Sequence, residues 1–220
     1  QIYPVNPKGG IIEGLQAYTN VLEIPGEVDL AIIVVNAKFV LATIDQCHEK
    51  GIKGLCVITA GFKETGAEGA ALEKELLSKV KEYGMRCVGP NCLGVVNTLP
   101  EVSMDGCFAE SLPERGHIGF VSQSGALGGG ILNILKDLNL GFAQFISIGN
   151  QADVNAETAM EYWENEEDVQ QILLYMESIQ NPANFRKLAS RISKKKPILA
   201  LKAGRSAAGA SAASSHTGSL

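Results

Sequence analysis

Asp29-Leu30-Ala31-Ile32-Ile33-Val34-Val35 is a continuous apolar, β-branched run, and the residues after it change period. From Lys38 to Lys50 the apolar side chains Phe39, Val40, Ile44 and Cys47 recur at helical spacing, and Gly51 stands where a helix ends. Leu55-Cys56-Val57-Ile58-Thr59 is a second apolar run. Glu68 to Tyr83 places Leu72, Leu76, Leu77 and Val80 on one helical face, with Gly84 just past it, and Arg86-Cys87-Val88 follows. The order is β-α-β-α-β. Continuous apolar runs predict strands buried on both faces, and helical crossovers predict that they lie parallel.

Outward from this core, Gln1-Ile2-Tyr3-Pro4-Val5 is strand-like, and Val95 to Gly116 has no clear period and carries Pro100, Gly106 and Pro113. That second stretch is read as a linker between domains. The alternation then resumes, with strands expected at His117–Val121, Phe142–Ser147, Val169–Met176 and Pro197–Leu201. Helices are expected at Ala126–Leu138, Glu157–Glu164 and Ala183–Ser193. This is a second α/β unit of flavodoxin-like type. The two domains are expected at 1–112, linker included, and 113–220. Both ends read as cut: the chain opens inside an apolar run and stops at Thr217-Gly218-Ser219-Leu220, so a fragment of a longer protein is expected.

The 220 residues suffice for a buried core, and 45% hydrophobic with 20% charged is ordinary for a water-soluble fold. A net charge of −5 argues against sequence-independent nucleic-acid binding. No apolar run is long enough to span a bilayer, and no signal-peptide pattern is present. The five cysteines include no C-x-x-C pair, and Cys56 and Cys87 sit in strand-like runs. Reduced thiols in a cytoplasmic protein are expected rather than a disulfide framework, and the scattered His48, His117 and His216 suggest no metal site.

Ligands of open α/β sheets bind beyond the carboxyl ends of strands, so the loops there carry the functional reading. Lys8, in Asn6-Pro7-Lys8-Gly9-Gly10, can meet a phosphate, although on these residues alone a solvated surface lysine is the favoured reading. Thr59-Ala60-Gly61-Phe62-Lys63-Glu64 suits contact with a nucleotide or its tail, or is an ordinary turn into a helix. Gly89-Pro90-Asn91-Cys92-Leu93-Gly94 fixes an unusual turn; Cys92 as a nucleophile is disfavoured because no histidine is near in sequence. Ser122-Gln123-Ser124-Gly125 heads a helix, where N–H groups and the dipole favour an anion such as phosphate, or where serine simply caps. Ser122 occupies the first glycine position of a nucleophile elbow, so a hydrolase serine is poorly supported. His216, in Ser214-Ser215-His216-Thr217-Gly218, is either a mobile nucleophile or part of a polar tail. Glu177 ends an apolar strand, where a carboxylate can hold a histidine in one tautomer.

Taken together these motifs, with Tyr3-Pro4-Val5 before Lys8 and Gly149-Asn150 with Asp153, resemble the NDP-forming acyl-CoA synthetase superfamily over essentially the whole chain. The resemblance is to the α part of ADP-forming acetate–CoA ligases, and also to succinyl-CoA synthetase α subunits. It implies a Rossmann-like CoA-binding domain followed by a flavodoxin-like ligase domain. It also implies reversible synthesis of an acyl-CoA from a small carboxylic acid, CoA and ATP, giving ADP and phosphate through acyl phosphate and phosphohistidine. His216 would be the phosphorylated histidine and Glu177 its orienting carboxylate. Ser122, Gln123, Ser124 and Gly125 would hold the phosphoryl group, and Pro7, Lys8, Ile58, Thr59 and Ala60 would contact CoA.

ATP or ADP with Mg²⁺ would bind an ATP-grasp domain or β subunit outside this sequence, and the glycine-rich CoA loop would precede Gln1. An oligomer is expected. Succinyl-specific relatives carry an aromatic residue where Gly128 or Gly129 stands, which argues against succinate; Ser178 and Ser211 replace a glycine and a basic residue common in relatives. The alternative keeps the fold but makes these domains a CoA-binding, regulatory part of a protein lysine acetyltransferase.

Overall fold

The computed structural model describes residues 1–109 and 114–204. Near the N-terminus, β1 (Ile11–Ile12) and β2 (Leu15–Gln16) form a small antiparallel pair. The strand expected over Gln1–Val5 is absent; Val5 makes a lone bridge to Tyr18. Pro4 and Pro7 have no N–H to donate to a ladder, and the chain turns back at once, Gly9 N–H donating to Asn6 O at 2.7 Å.

The alternating core forms as the periodicity predicts. Strands β3 (Leu30–Ile33), β4 (Gly54–Val57) and β5 (Arg86–Val88) make a parallel three-stranded sheet in that order. Helix α1 (Ala37–Lys50) crosses between the first two and α2 (Ala67–Glu82) between the second two. The Asn36 side chain accepts the Lys38 N–H to start α1, and Gly51, at φ 88°, ends it in the left-handed conformation that a side chain disfavours. Val40, Ile44 and Cys47 of α1 and Leu76 and Val80 of α2 are buried against the sheet. Burial of the first strand on both faces is not observed. β3 is an edge strand among the described residues, with one neighbour, and Ile32 stays 42% exposed while Ile33 is buried.

The segment read as a linker is instead a strand pair. β6 (Gly94–Asn97) and β7 (Met104–Cys107) lie antiparallel, with Val95 opposite Gly106, and four-residue strands around Pro100 are too short to show a period. They extend the second sheet, which adds β8 (Arg115–Ser122), β9 (Phe142–Ser147), β10 (Gln171–Met176) and β11 (Ile198–Lys202). Its order is β11-β10-β8-β9-β6-β7; β8 to β11 run parallel and β6 runs antiparallel to β9. The crossovers are α3 (Gly125–Asp137), α4 (Ala156–Trp163) and α5 (Pro182–Ile192).

Apolar packing covers both faces of the central strands of this sheet. Phe120, Phe142, Phe145 and Leu132 form one layer, and Met160, Trp163, Ile172, Leu174 and Ile192 the other. A Cβ at Gly119 would lie 2.9 Å from the Trp163 ring, so the indole packs flat on bare backbone.

An irregular run, Gly149 to Val154, ties the two units together. Asn150, Ala152 and Val154 donate their N–H groups to Pro90, Gly89 and Cys87 carbonyls at 2.9–3.1 Å, following the chain out of β5. Asp153 accepts from Arg86 Nε and from the Cys87 N–H, both at 2.9 Å. Gly149, at φ 50°, lies so close to the Asn91 carbonyl that a Cβ would stand 2.3 Å from its oxygen.

Candidate functional site

The carboxyl end of β8 runs into α3 through Ser122-Gln123-Ser124. Ser122 is buried and its Oγ donates to Ser124 O at 2.6 Å; Ser124 caps the helix, its Oγ accepting the Leu127 N–H at 3.3 Å. The first N–H groups of any helix lack intrahelical acceptors, and the dipole there favours negative charge. This helix end borders a cleft of about 400 Å³. Gln123, Ser124, Gly125 and Ala126 line one side, Asn91, Cys92 and Leu93 another, and Gly149, Asn150 and Phe108 complete it. Three motifs far apart in sequence therefore meet at one anion-favouring helix end. Gly128 lies under it: a Cβ there would stand 3.0 Å from Phe145 Cζ and 3.1 Å from Ser122 Cβ, whereas one at Gly130 would meet nothing within 4 Å.

Glu177 follows the last residue of β10 and is half-buried. Its backbone N–H and that of Ser178 both donate to Gln123 Oε1, at 2.9 and 3.0 Å. Lys202 Nζ donates to the Glu177 carbonyl at 2.8 Å. Burial, and then the charge of Glu177, raise the Tyr175 hydroxyl above its ordinary pKa. His216, with the Ser206–Ser215 run and Ser211, lies outside the described residues.

Pro7 and Lys8 are exposed on the turn near the N-terminus, where the Lys8 N–H donates to Asn6 Oδ1 at 3.0 Å. Ile58, Thr59 and Ala60 leave β4 at its carboxyl end. Ile58 N–H donates to Ile33 O, Thr59 Oγ1 to Val35 O at 2.7 Å, and Thr59 O accepts the Asn91 N–H at 3.0 Å. The last bond joins this loop to the turn lining the cleft.

The residues after Ala60 do something that the sequence did not suggest. Glu64 Oε1 accepts the Gly61 and Phe62 N–H groups, while its Oε2 accepts Asn150 Nδ2 at 2.6 Å. Glu73 Oε2 accepts the same Nδ2 at 2.7 Å, and Glu73 pairs with Lys63 at 3.2 Å. Lys63 Nζ in turn donates to the Asn150 carbonyl. Burial works against ionisation of Glu64, but the bonds from Asn150, Gly61 and Phe62 outweigh it and hold its carboxyl below the ordinary value. The charged residues of the Gly61–Glu64 turn thus clasp the second unit through Asn150, on the cleft wall. Glu73 escaped the sequence reading because one acid within an amphipathic helix carries no signal; Asn150 was visible only as a motif.

Cys92 is buried, with its Sγ 3.3 Å from the Val57 carbonyl and 3.9 Å from Cys56 Sγ. The neighbouring Cys92 sulfur, and then burial, push the Cys56 thiol far up. This surrounding favours the turn reading of Gly89–Gly94 over a nucleophile.

Two domain families match the chain: a CoA binding domain over residues 1–98 and a succinyl-CoA ligase-like flavodoxin domain over residues 115–220. The chain is 48% identical over 220 residues to the α subunit of acetate–CoA ligase [ADP-forming] II from Pyrococcus furiosus, all of this chain against 48% of that protein. It is 38% identical over 221 residues to 4-hydroxybutyrate–CoA ligase [ADP-forming] from Nitrosopumilus maritimus, covering 32% of it. It spans about a third to a half of the length of these curated relatives. Among solved structures, an acetyl-coenzyme A synthetase from Candidatus Korarchaeum cryptofilum, in complex with phosphate and ADP, superposes with a TM-score of 0.88 at 38% identity. The match covers 99% of this chain and 47% of that one.

Proposed function

The chain belongs to the NDP-forming acyl-CoA synthetase family, and on that premise we propose that the whole protein is an acid–thiol ligase forming a small acyl-CoA, acetyl-CoA first among them. The observation that carries this reading is the shared cleft, where the α3 N-terminus meets the Asn91–Leu93 turn and a hydrogen bond links that turn to the Thr59 loop. In the direction of synthesis, the γ-phosphoryl group of ATP passes to a ring nitrogen of His216 and ADP leaves. The carboxylate of the acid then takes the phosphoryl group, giving acyl phosphate and restoring the imidazole. The CoA thiol attacks the acyl carbon and phosphate departs, the thiol proton going to solvent or to a nearby base.

In this scheme the turn Ser122-Gln123-Ser124-Gly125 brings the N-terminus of α3 to the phosphoryl group, whose charge the helix end offsets in every state. Glu177 accepts the other ring N–H of His216, fixes the tautomer and stabilises positive charge growing on the ring. Pro7, Lys8 and Ile58 to Ala60 bind CoA. ATP or ADP with Mg²⁺ sits on an ATP-grasp domain or β subunit beyond these residues, and the assembly is oligomeric. Five free thiols support a cytoplasmic setting, and no described helix is long and apolar enough to cross a membrane. The relatives reported above bear ligase names, which favours synthesis over a regulatory part of an acetyltransferase.

The test is steady-state turnover. Beyond the one equivalent of ADP that accompanies phosphorylation of the enzyme, full-length protein with its nucleotide-binding part should release ADP continuously only when acid, CoA and ATP with Mg²⁺ are all present, and should then form acyl-CoA in equal amount. Sustained ADP release without acyl-CoA, across a panel of short-chain and aromatic acids, overturns the reading.

A further inference from the structure

Gln123 has both ends of its side-chain amide engaged inside the protein. Its Oε1 accepts the Glu177 and Ser178 N–H groups, at 2.9 and 3.0 Å, and its Nε2 donates to Ser178 Oγ at 2.9 Å. Its backbone N–H donates to Tyr175 O at 3.0 Å. One residue at the end of β8 therefore makes four bonds to the stretch 175–178 at the end of β10. The amide orientation follows from these partners, because two N–H donors face the oxygen and a hydroxyl faces the nitrogen.

The bracing continues sideways. Ser178 Oγ also accepts Gln151 Nε2 at 2.9 Å, and Gln180 Nε2 donates to Gln151 O at 2.8 Å. Gln151 is buried and held at φ 50°, beyond the end of β9. The loops after β8, β9 and β10 are thus joined by a row of side-chain amides around one serine hydroxyl.

We propose that Gln123 is a positioning residue for Glu177: it fixes the backbone of the 177–178 turn and so sets where the Glu177 carboxylate stands, rather than binding the phosphoryl group through its side chain. This rests on the ligase reading above, in which Glu177 orients His216. Without the Gln123 oxygen, two adjacent N–H groups lose their common acceptor and the turn is free to take other directions. A shift of about 1 Å in an orienting group costs on the order of 10²-fold in rate.

The test uses full-length protein with its nucleotide-binding part and three variants, Gln123→Met, Gln123→Glu and Ser178→Ala. Gln123→Met keeps length and loses the acceptor. It should slow single-turnover phosphorylation of His216 about 10²-fold, leave the KM for phosphate in the acyl-CoA-consuming direction within about threefold, and speed hydrogen exchange of the Glu177 and Ser178 amides. Gln123→Glu retains an acceptor and should retain the amide protection. Ser178→Ala should loosen the turn less than Gln123→Met, since Oε1 keeps both N–H partners. A phosphate KM raised tenfold or more, with an unchanged phosphorylation rate at saturation, would show direct phosphate contact and overturn the proposal. Unchanged amide exchange in Gln123→Met would also overturn it. If wild-type protein never labels on His216, the ligase reading fails instead, and amide exchange still decides whether Gln123 holds the turn.

Discussion

Replacing Asn150 with alanine should loosen the clasp between the two units. The Asn150 Nδ2 group donates to Glu64 at 2.6 Å and to Glu73 at 2.7 Å, both acceptors carboxylates. Hydrogen bonds to charged groups contribute about 1.5–3 kcal/mol each. One nitrogen serving two acceptors will not yield the sum of two isolated bonds, and Lys63 continues to compensate Glu73, so a loss of about 3 kcal/mol is expected. The backbone bonds of the 149–154 run survive the substitution, which confines the effect to the clasp. For a chain of this length, 1 kcal/mol corresponds to a shift of about 2–4 °C, so Tm should fall by about 6–12 °C. Urea unfolding of Asn150→Ala, Glu64→Gln and the double variant forms a cycle with a coupling of at least 1 kcal/mol. Additive effects, or a loss below about 1 kcal/mol for Asn150→Ala, would refute the clasp. It would then be a crowding of polar groups with no energetic role.

Further outcomes follow from the same geometry. Gly128→Ala should destabilise by about 1 kcal/mol in urea unfolding, because overpacking against Phe145 and Ser122 costs about 1–3 kcal/mol and outweighs the roughly 1 kcal/mol helix preference for alanine. Gly130→Ala, with open space around it, should stabilise by up to about 1 kcal/mol. Acid should weaken the clasp. The Glu64 carboxyl lies below its ordinary 4.5, so its contribution is complete above that pH and is lost as pH falls through the folded value. The urea midpoint of wild-type protein should therefore drop on that limb more than that of Glu64→Gln. Glu177→Gln should fold and bind CoA normally by calorimetry, yet phosphorylate His216 on the order of 10²–10⁴-fold more slowly.

The alternation of buried strands and amphipathic helices was readable because each long element carries its own period. Gly51 ends α1 as capping chemistry requires, and the helix beginning at Gly125 follows its serine cap. The β6–β7 pair was missed since four residues hold two alternations at most, and its pairing with β9 is decided by partners about 50 residues away. The exposure of Ile32 was equally invisible, because an edge strand and a central one can share a sequence. At the site, the SQSG helix start was legible from capping and dipole physics. The destinations of Lys63, Glu64 and Gln123 were not. A polar side chain in a loop looks the same whether it awaits a ligand or meets Asn150 or Ser178, and only the arrangement of the chain distinguishes the two.

Full-length protein given ATP and Mg²⁺ should carry one phosphoryl group per chain on His216, labile in acid and stable in base as a P–N bond requires. Acid and CoA should together discharge it, and it should be absent from His216→Ala. A label that persists in His216→Ala, or one that is acid-stable, would mean that His216 does not carry the phosphoryl group.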